Sequence, residues 1–381
     1  MSRQSKILFV AGDGASGRIM AETGALLKDE RPMQVHFIQG DGGAAGLYDA
    51  ENREHVFIDM PETRLADLVE PAVRDADLVV VAHSGTAFHL ECAVTSTAFA
   101  HRIPVLKVFD HWLGTRHAYF RDVVAEWVGR GKPPLTVTAT TDAHVAELHE
   151  RFPALDDVVV KIGNPLHVQL EQLLADGLPA ARERLRRELG LAHASPVVSV
   201  FLSGNNDVQF AEVLDMADAL AATLMERGGS MALDVHFVNK QDWKPKVDKY
   251  VLVWREAGVP VVEGLRPDAM IALCDVLFAS STSTTCERAL ANGIPVVQPC
   301  GPAEAAGLAS LSGTDFPYTP EMTFLAVLLA TGKPGEWEYL LDSALDPAQQ
   351  AHRQKGVDAC GVVPASGAIF RLRDLILEMT R

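Results

Sequence analysis

The chain has 381 residues, 34 of them basic and 50 acidic, for a formal charge of −16. That balance disfavours nucleic acid and anionic membranes as broad-surface partners, because a net-negative surface repels a phosphate-rich one, and leaves room for a small local basic pocket. The length exceeds what one ordinary core serves and suits two α/β domains of roughly 150 to 200 residues each. No window approaches the roughly 18 consecutive apolar residues of a membrane span. The opening segment MSRQSKILFVAGDG runs into a strand-like run without the apolar stretch and cleavage site of a secretory signal. Cys92, Cys274, Cys286, Cys300 and Cys360 are scattered, without the close pairing of a zinc site. Reduced thiols and a cytoplasmic location are expected.

In chain order, Lys6–Ala11, Val35–Gln39, His55–Asp59, Asp77–Ala82, Pro104–Phe109, Leu135–Thr138 and Val158–Ile162 are short apolar runs that predict strands. Helical patterns lie between them at Arg18–Lys28, Ala66–Ala76 and Phe88–Ala100. Short continuous strands with crossover helices predict a parallel sheet covered on both faces, a Rossmann-like domain over residues 1–165. Residues 166–194 read as a linker carrying one long charged helix, Val168–Leu189. The pattern then restarts over residues 195–365 with strands at Pro196–Leu202, Leu233–Val238, Pro260–Val262, Val276–Ala279 and Pro295–Gln298. Ser366–Met379 is amphipathic, with Ile369, Leu372, Leu375 and Ile376 at helical spacing, and is expected to pack back on the first domain. Two doubly wound domains facing a cleft place a ligand at the carboxyl ends of their strands.

The most informative stretch is Cys274–Pro299, CDVLFASSTSTTCERALANGIPVVQP. A strand-like run ends in Ser280, Ser281, Thr282, Ser283, Thr284 and Thr285, a helical register carries Glu287, and Gly293 precedes the next strand. A hydroxyl-rich turn at a strand end, capping a helix, offers N–H groups to an anion such as phosphate. Glu287 can accept two hydrogen bonds from a ribose diol. The plain alternative is a well-capped helix with a chance glutamate. Gly12, Asp13, Gly14 and Ser16 form a Gly-rich turn after the first strand, but no full GxGxxG with an acidic ribose anchor follows, which disfavours a dinucleotide. His83 and the segment from Asp110 and His111 to Arg116 and His117 follow strands, where ionisable groups can move protons. A capped loop histidine is the plain alternative for His83. His144 and His149, five positions apart on a helical stretch, are expected to face solvent, and Trp243 to lie on a surface loop over an apolar patch.

Two Rossmann-like halves, the Gly-rich first turn and the block Asp275, Ser281–Thr285, Glu287, Gly293-Ile294-Pro295 resemble nucleotide-sugar glycosyltransferases of the GT-B fold. The likeness is to the branch holding MurG-type transferases and non-hydrolysing UDP-N-acetylglucosamine 2-epimerases. It implies that Ser281, Thr282, Ser283, Thr284 and Thr285 bind the donor diphosphate and Glu287 the ribose. It likewise implies that Ser203, Gly204 and Asn205 lie beside the phosphates, and that Gly264 and Leu265 hold the base through backbone groups. An ordinary tight turn remains the alternative for 203–206. MurG-like enzymes commonly carry a histidine in the first loop, and this chain has none there.

The implied activity is metal-independent transfer of a sugar from a nucleotide-diphosphate donor such as a UDP-sugar to a small, glycan or lipid-linked acceptor. The sugar nucleotide is substrate and no cofactor is expected. Candidate catalytic residues are His83, Asp110, His111 and Asp13. Gly12, Gly14, Ser16 and Arg116 are candidates for the acceptor or phosphate loop, and no metal ligands are expected. A 2-epimerase, with Asp110 handling a proton, and a noncatalytic nucleotide-sugar-binding protein are the alternatives. A second copy of the chain, as a homodimer, is a further expected partner.

Overall fold

The computed structural model describes residues 5–39, 48–49, 53–58, 62–84, 88–202, 206–235, 240–280, 283–312, 319–362 and 367–381. The chain forms two compact units, Met1–Val168 with Ala365–Arg381, and Gln169–Pro364.

Unit 1 is built on β1 (Ile7–Ala11), β2 (Gln34–Gln39), β3 (Val56–Ile58), β4 (Leu78–Ala82), β5 (Val105–Val108), β6 (Leu135–Ala139) and β7 (Val159–Lys161). Every pairing is parallel, in the order β3-β2-β1-β4-β5-β6-β7. Its helices are α1 (Gly14–Leu27), α2 (Glu62–Arg74), α3 (His89–His101), α4 (Ala118–Gly129) and α5 (Asp142–Arg151). Side chains alternate across each strand, so Leu8 and Val10 enter one core while Ile7, Phe9 and Ala11 enter the other. Both faces are dry, which is why the strands read as continuous apolar runs.

Unit 2 begins with two short helices, α6 (Val168–Leu173) and α7 (Leu178–Glu188), where the sequence predicted one. Gly177, at φ +88°, breaks the chain between them as the N-cap of the second helix, and Pro179 lies in that helix's first turn. The parallel sheet holds β8 (Val197–Leu202), β9 (Ser230–Val235), β10 (Val261–Glu263), β11 (Val276–Ala279), β12 (Val296–Pro299) and β13 (Leu328–Ala330), in the order β10-β9-β8-β11-β12-β13. The ninth strand starts earlier than the predicted Leu233, because Ser230 and Met231 pair with β8 and are buried, and the predicted end at 236–238 lies outside the described residues. The strand β13 was not predicted. The helices are α8 (Asp207–Arg227), α9 (Lys240–Glu256), α10 (Pro267–Leu273), α11 (Thr284–Leu290), α12 (Pro302–Ser312), α13 (Pro320–Thr323), α14 (Glu336–Leu345) and α15 (Pro347–Cys360). Trp243 belongs to α9 rather than to a surface loop: it is buried, stacked on Phe210 at 4.3 Å.

The last helix, α16 (Ala368–Met379), returns to unit 1 and buries Ile369, Leu372 and Ile376 in the core that includes Ile19, Ile162 and Leu166. Arg371 Nε donates to the Ile162 carbonyl at 2.7 Å, tying the returning helix to the end of β7.

The two units share a device at the amino ends of their central strands. Asp77 accepts from Lys6 N–H at 2.8 Å, and Asp275 accepts from Val197 N–H at 2.9 Å. Each aspartate therefore fixes the register of a neighbouring strand at the end opposite to the loops that follow β1, β4, β8 and β11. Asp275 also meets Arg186 at 2.8 Å and Arg182 at 3.4 Å.

In both sheets the strand order reverses once, between β1 and β4 and between β8 and β11. Loops that leave on opposite faces at such a point open a crevice at the carboxyl ends. Among the described residues, no helix is long and apolar enough to cross a membrane.

Gly356 on α15 packs against the chain at 324–326. A Cβ there would lie 2.2 Å from the Phe324 carbonyl oxygen and 2.9 Å from Ala326 N, both rigid backbone atoms. Gly356→Ala is expected to destabilise unit 2 by about 3 kcal/mol. The midpoint of urea unfolding checks this, and an unchanged midpoint would sink it.

Candidate functional site

At the switch point of unit 1, the loops after β1 and β4 are joined by one hydroxyl. Ser84 Oγ accepts from Gly12 N–H at 3.1 Å and from Asp13 N–H at 3.2 Å, and lies 3.0 Å from Ser16 Oγ. Asp13 caps α1: its carboxylate accepts from Ser16 N–H at 2.9 Å, and Ser16 Oγ accepts from Asp13 N–H at 3.1 Å. Gly14 is the first residue of that helix.

Behind Ser84 lies an ion pair removed from water. Ser84 donates its hydroxyl to Glu91 Oε1 and its N–H to Glu91 Oε2 at 3.0 Å. Lys107 Nζ reaches the same Oε2 at 3.2 Å and also donates to the Ala82 carbonyl. The side chains of Lys107 and Glu91 are 2 % and 0 % exposed. Burial raises the Glu91 carboxyl, while Lys107 and Ser84 pull it down. Tyr119 closes the network, donating its hydroxyl to the Ser84 carbonyl at 2.9 Å.

His83 is a wall residue rather than an accessible base. It is 4 % exposed, with its ring stacked on Phe109 at 4.3 Å and on Tyr119 at 4.6 Å. A Cβ on Gly114 would approach within 2.6 Å of His83 Cδ2, so glycine is needed there. Burial, with Lys107 next, holds the His83 imidazole well below its ordinary range. Its Nε2 lies 3.0 Å from His117 Nδ1.

Asp110 is half-buried directly after β5. Burial first and the Asp13 charge second push its carboxyl up to about 8. A carboxyl that keeps its proton near neutrality close to a second, charged carboxylate is chemically able to give and take a proton. Asn164 Nδ2 donates to the Asp110 carbonyl at 2.8 Å and steadies the loop. His111 is buried against Trp112, which lowers it to about 3. Arg116 is committed locally, with Nε 2.6 Å from Glu147 and its guanidinium 4.7 Å from the Trp112 ring centre.

His144 departs from the expected solvent position. It is fully buried, accepts from Thr140 N–H at 3.2 Å and meets the Phe109 ring edge-on at 5.4 Å. Thr141 caps α5 and turns this helical face inward.

In unit 2, Ser203, Gly204, Asn205, Ser281 and Thr282 lie outside the described residues. Asn206, next in the first of these loops, caps α8 by accepting from Val208 N–H and Gln209 N–H, each at 3.0 Å. Ser283 caps α11, accepting from Thr285 N–H at 3.3 Å, with the two hydroxyls 2.7 Å apart. Thr284 opens this seven-residue helix and Thr285 is buried. Glu287 is 2 % exposed, on the inward side of the helix rather than on a solvent face. Ser280 at the strand end donates to Glu304 Oε1 at 2.6 Å, and Glu212 accepts from the N–H groups of Ala303 and Glu304. Arg288, beside Glu287, is paired with Asp268. Gly264 takes φ +77° with open space around it, and Leu265 packs against the core.

The sequence reading singled out Asp13, Ser16, the loop at His83 and the segment from Asp110 to His117 without the buried groups that connect them: Glu91, Lys107 and Tyr119. A signal existed for one. Lysine inside the apolar run PVLKVF, on a strand buried on both faces, requires a buried partner.

No family model and no curated protein sequence matches the chain. Solved structures do. Anabaena HepE, crystallised with UDP and glucose, is 17 % identical with a TM-score of 0.59, and the alignment covers 98 % of each chain. The UDP-GlcNAc 2-epimerase of Neisseria meningitidis, bound to UDP-GlcNAc, is 15 % identical with a TM-score of 0.65, over 98 % of this chain and 100 % of that one. MurG of Acinetobacter baumannii is 12 % identical with a TM-score of 0.54, over 98 % and 99 %. The chain has the two-domain α/β architecture of these proteins, the GT-B fold.

Proposed function

We propose that the chain is a nucleotide-sugar enzyme that transfers the sugar of a UDP-sugar to an acceptor hydroxyl without a metal ion. The observation that carries the reading is the set of hydroxyls Ser280, Ser283, Thr284 and Thr285 between the end of β11 and the start of α11, at the switch point of unit 2, with Glu287 one helical turn beyond Ser283. Solved structures of the same fold hold UDP and UDP-GlcNAc. In this reading Ser281, Thr282, Ser283, Thr284 and Thr285, with Ser203, Gly204 and Asn205, serve the diphosphate. Glu287 serves the ribose, and Gly264 and Leu265 the base. Asp110, beside Asp13, takes the acceptor proton as general base once it has released its own.

A second reading, 2-epimerisation, is favoured by that same carboxyl pair. One group removes the C2 proton as the C1–O bond to UDP breaks and a C1=C2 double bond forms, and the other returns a proton to C2 from the opposite face as UDP adds back to C1.

The test is incubation with UDP-glucose and UDP-GlcNAc in deuterated buffer, with and without acceptor sugars. UDP release that requires an acceptor supports transfer. Deuterium at sugar C2 supports epimerisation, and binding without either leaves a noncatalytic receptor. Glu287→Gln is expected to weaken UDP binding by about 10- to 100-fold, from loss of charge-assisted hydrogen bonds. Retained UDP affinity in a folded Glu287→Gln protein would remove Glu287 from the site.

A further inference from the structure

We propose that His117 is a neutral imidazole presenting its Nε2–H as a hydrogen-bond donor to an oxygen of the nucleotide sugar, with His83 as the positioning residue that sets its tautomer. The proposal rests on the nucleotide-sugar reading for its ligand, and on the His83–His117 contact for everything else.

The two rings meet through His83 Nε2 and His117 Nδ1, 3.0 Å apart. Two neutral imidazoles share one proton in such a contact, so there are two arrangements. If His117 donates from Nδ1, His83 carries its own proton on Nδ1. That atom is buried and has no hydrogen-bond partner. An orphaned N–H in a dry core is among the rarest features of native proteins, because it loses its water without replacement. In the other arrangement His83 donates from Nε2, and its bare Nδ1 leaves only a lone pair unused. The second arrangement leaves no buried donor orphaned. It fixes His117 as the Nε2–H tautomer.

Both rings are held for this role. His83 cannot tilt away, being stacked between Phe109 and Tyr119 and crowded by Gly114. His117 stands at the N-cap of α4 with extended backbone, and its side chain makes no capping bond. It is the half-buried member of the pair, and so the one that a ligand can reach. The groups acting on it are His83, the Lys107 cation and the Asp13 carboxylate. Burial first and Lys107 second lower it to about 4, which keeps the ring neutral at physiological pH despite Asp13. A neutral histidine with its lone pair already occupied at Nδ1 is a donor, not a base. Proton removal therefore falls to the carboxyl pair, and His117 supplies a hydrogen bond to a sugar hydroxyl or a phosphate oxygen.

Long-range nitrogen–proton NMR of protein carrying ¹⁵N-histidine, at pH 7 and without ligand, tests the tautomers directly. His83→Gln and His117→Gln provide the assignments. Both residues are expected as neutral Nε2–H forms, and an Nδ1–H form of either, or a charged His117, overturns the proposal. The second arm uses UDP-glucose, UDP-GlcNAc and UDP as probes. His117→Leu is expected to lose about 100-fold in kcat or affinity, and His117→Gln, whose amide donates from the same position, fewer than about tenfold. His83→Leu is expected to lower turnover, with partial recovery in His83→Gln. Equal losses in His117→Leu and His117→Gln overturn the donor role. A loss confined to UDP-sugars assigns the contact to the sugar, and a loss shared with UDP assigns it to phosphate. If none of the three probes binds, the nucleotide-sugar reading fails while the tautomers still decide the His83–His117 arrangement.

Discussion

Lowered from pH 7.5 to pH 5, the protein should lose stability in unit 1 well before unit 2. The histidines outside unit 1 are His193, His236 and His352, and His193 and His352 are exposed. In unit 1, His111 and His144 are buried and lowered to about 3, and His83 is lowered as well, in each case by burial first. The unfolded chain protonates these groups near pH 6.5 and the folded chain only far below, so their contribution is intact above about 6.5 and falls away as the pH drops. At pH 5, His111 and His144 cost about 2 kcal/mol each. Asp110 acts in the opposite direction, since the folded state already holds its proton. The half-buried His36 and His117, both lowered to about 4, offset it. A few kcal/mol is a large share of the stability of a domain. Calorimetry at the two pH values should show one transition moving down by several degrees and the other nearly fixed. Trp112 and Trp127 report on unit 1, and Trp243, Trp254 and Trp337 on unit 2. Two transitions that move together would refute the assignment.

Lys107→Met should be among the most damaging single substitutions in unit 1. It leaves Glu91 fully buried with its countercharge gone, at a cost of about 3 to 5 kcal/mol. Removing both charges, as Glu91→Leu with Lys107→Met, should recover most of that, because the penalty lies in the unmatched ion rather than in the missing attraction. The double variant still lacks the carboxylate that orients Ser84, and Ser84 is the acceptor for Gly12 and Asp13. Stability should therefore return without activity. Urea unfolding of both proteins checks the first half, and turnover of the double variant the second. A single variant that costs under about 1 kcal/mol, or a double variant with full turnover, would show that the pair does not control the loop.

The sheets were legible because a strand covered on both faces must be apolar throughout, and runs such as DLVVVA and PVVSVFL satisfy little else. The short β13 escaped because Leu328–Ala330 continues an apolar stretch that also suits a helix. The break between α6 and α7 was written in Gly177 and Pro179, but charged residues at helical spacing masked it. The site was legible as loops and not as a network. His83, Asp110 and Asp13 stand at strand ends, where ionisable residues invite attention. Ser84, Glu91 and Lys107 are brought together by sheet order and by the placement of α3 over β4 and β5, and pairwise spacing along the chain carries no trace of that. His144 was misjudged because its neighbours on α5 are polar, whereas its burial depends on Phe109 from a different strand.

The return of α16 to unit 1 has a consequence for biosynthesis. Its residues leave the ribosome only after all of unit 2 has been made, yet Ile369, Leu372 and Ile376 complete the core formed by Ile19, Ile38 and Leu166. Domains generally fold as units during synthesis, with the amino-terminal one first. Here the later domain holds everything it needs before the earlier one does. The nascent first unit waits with an apolar face uncovered, a natural place for a chaperone to hold it until the final helix arrives.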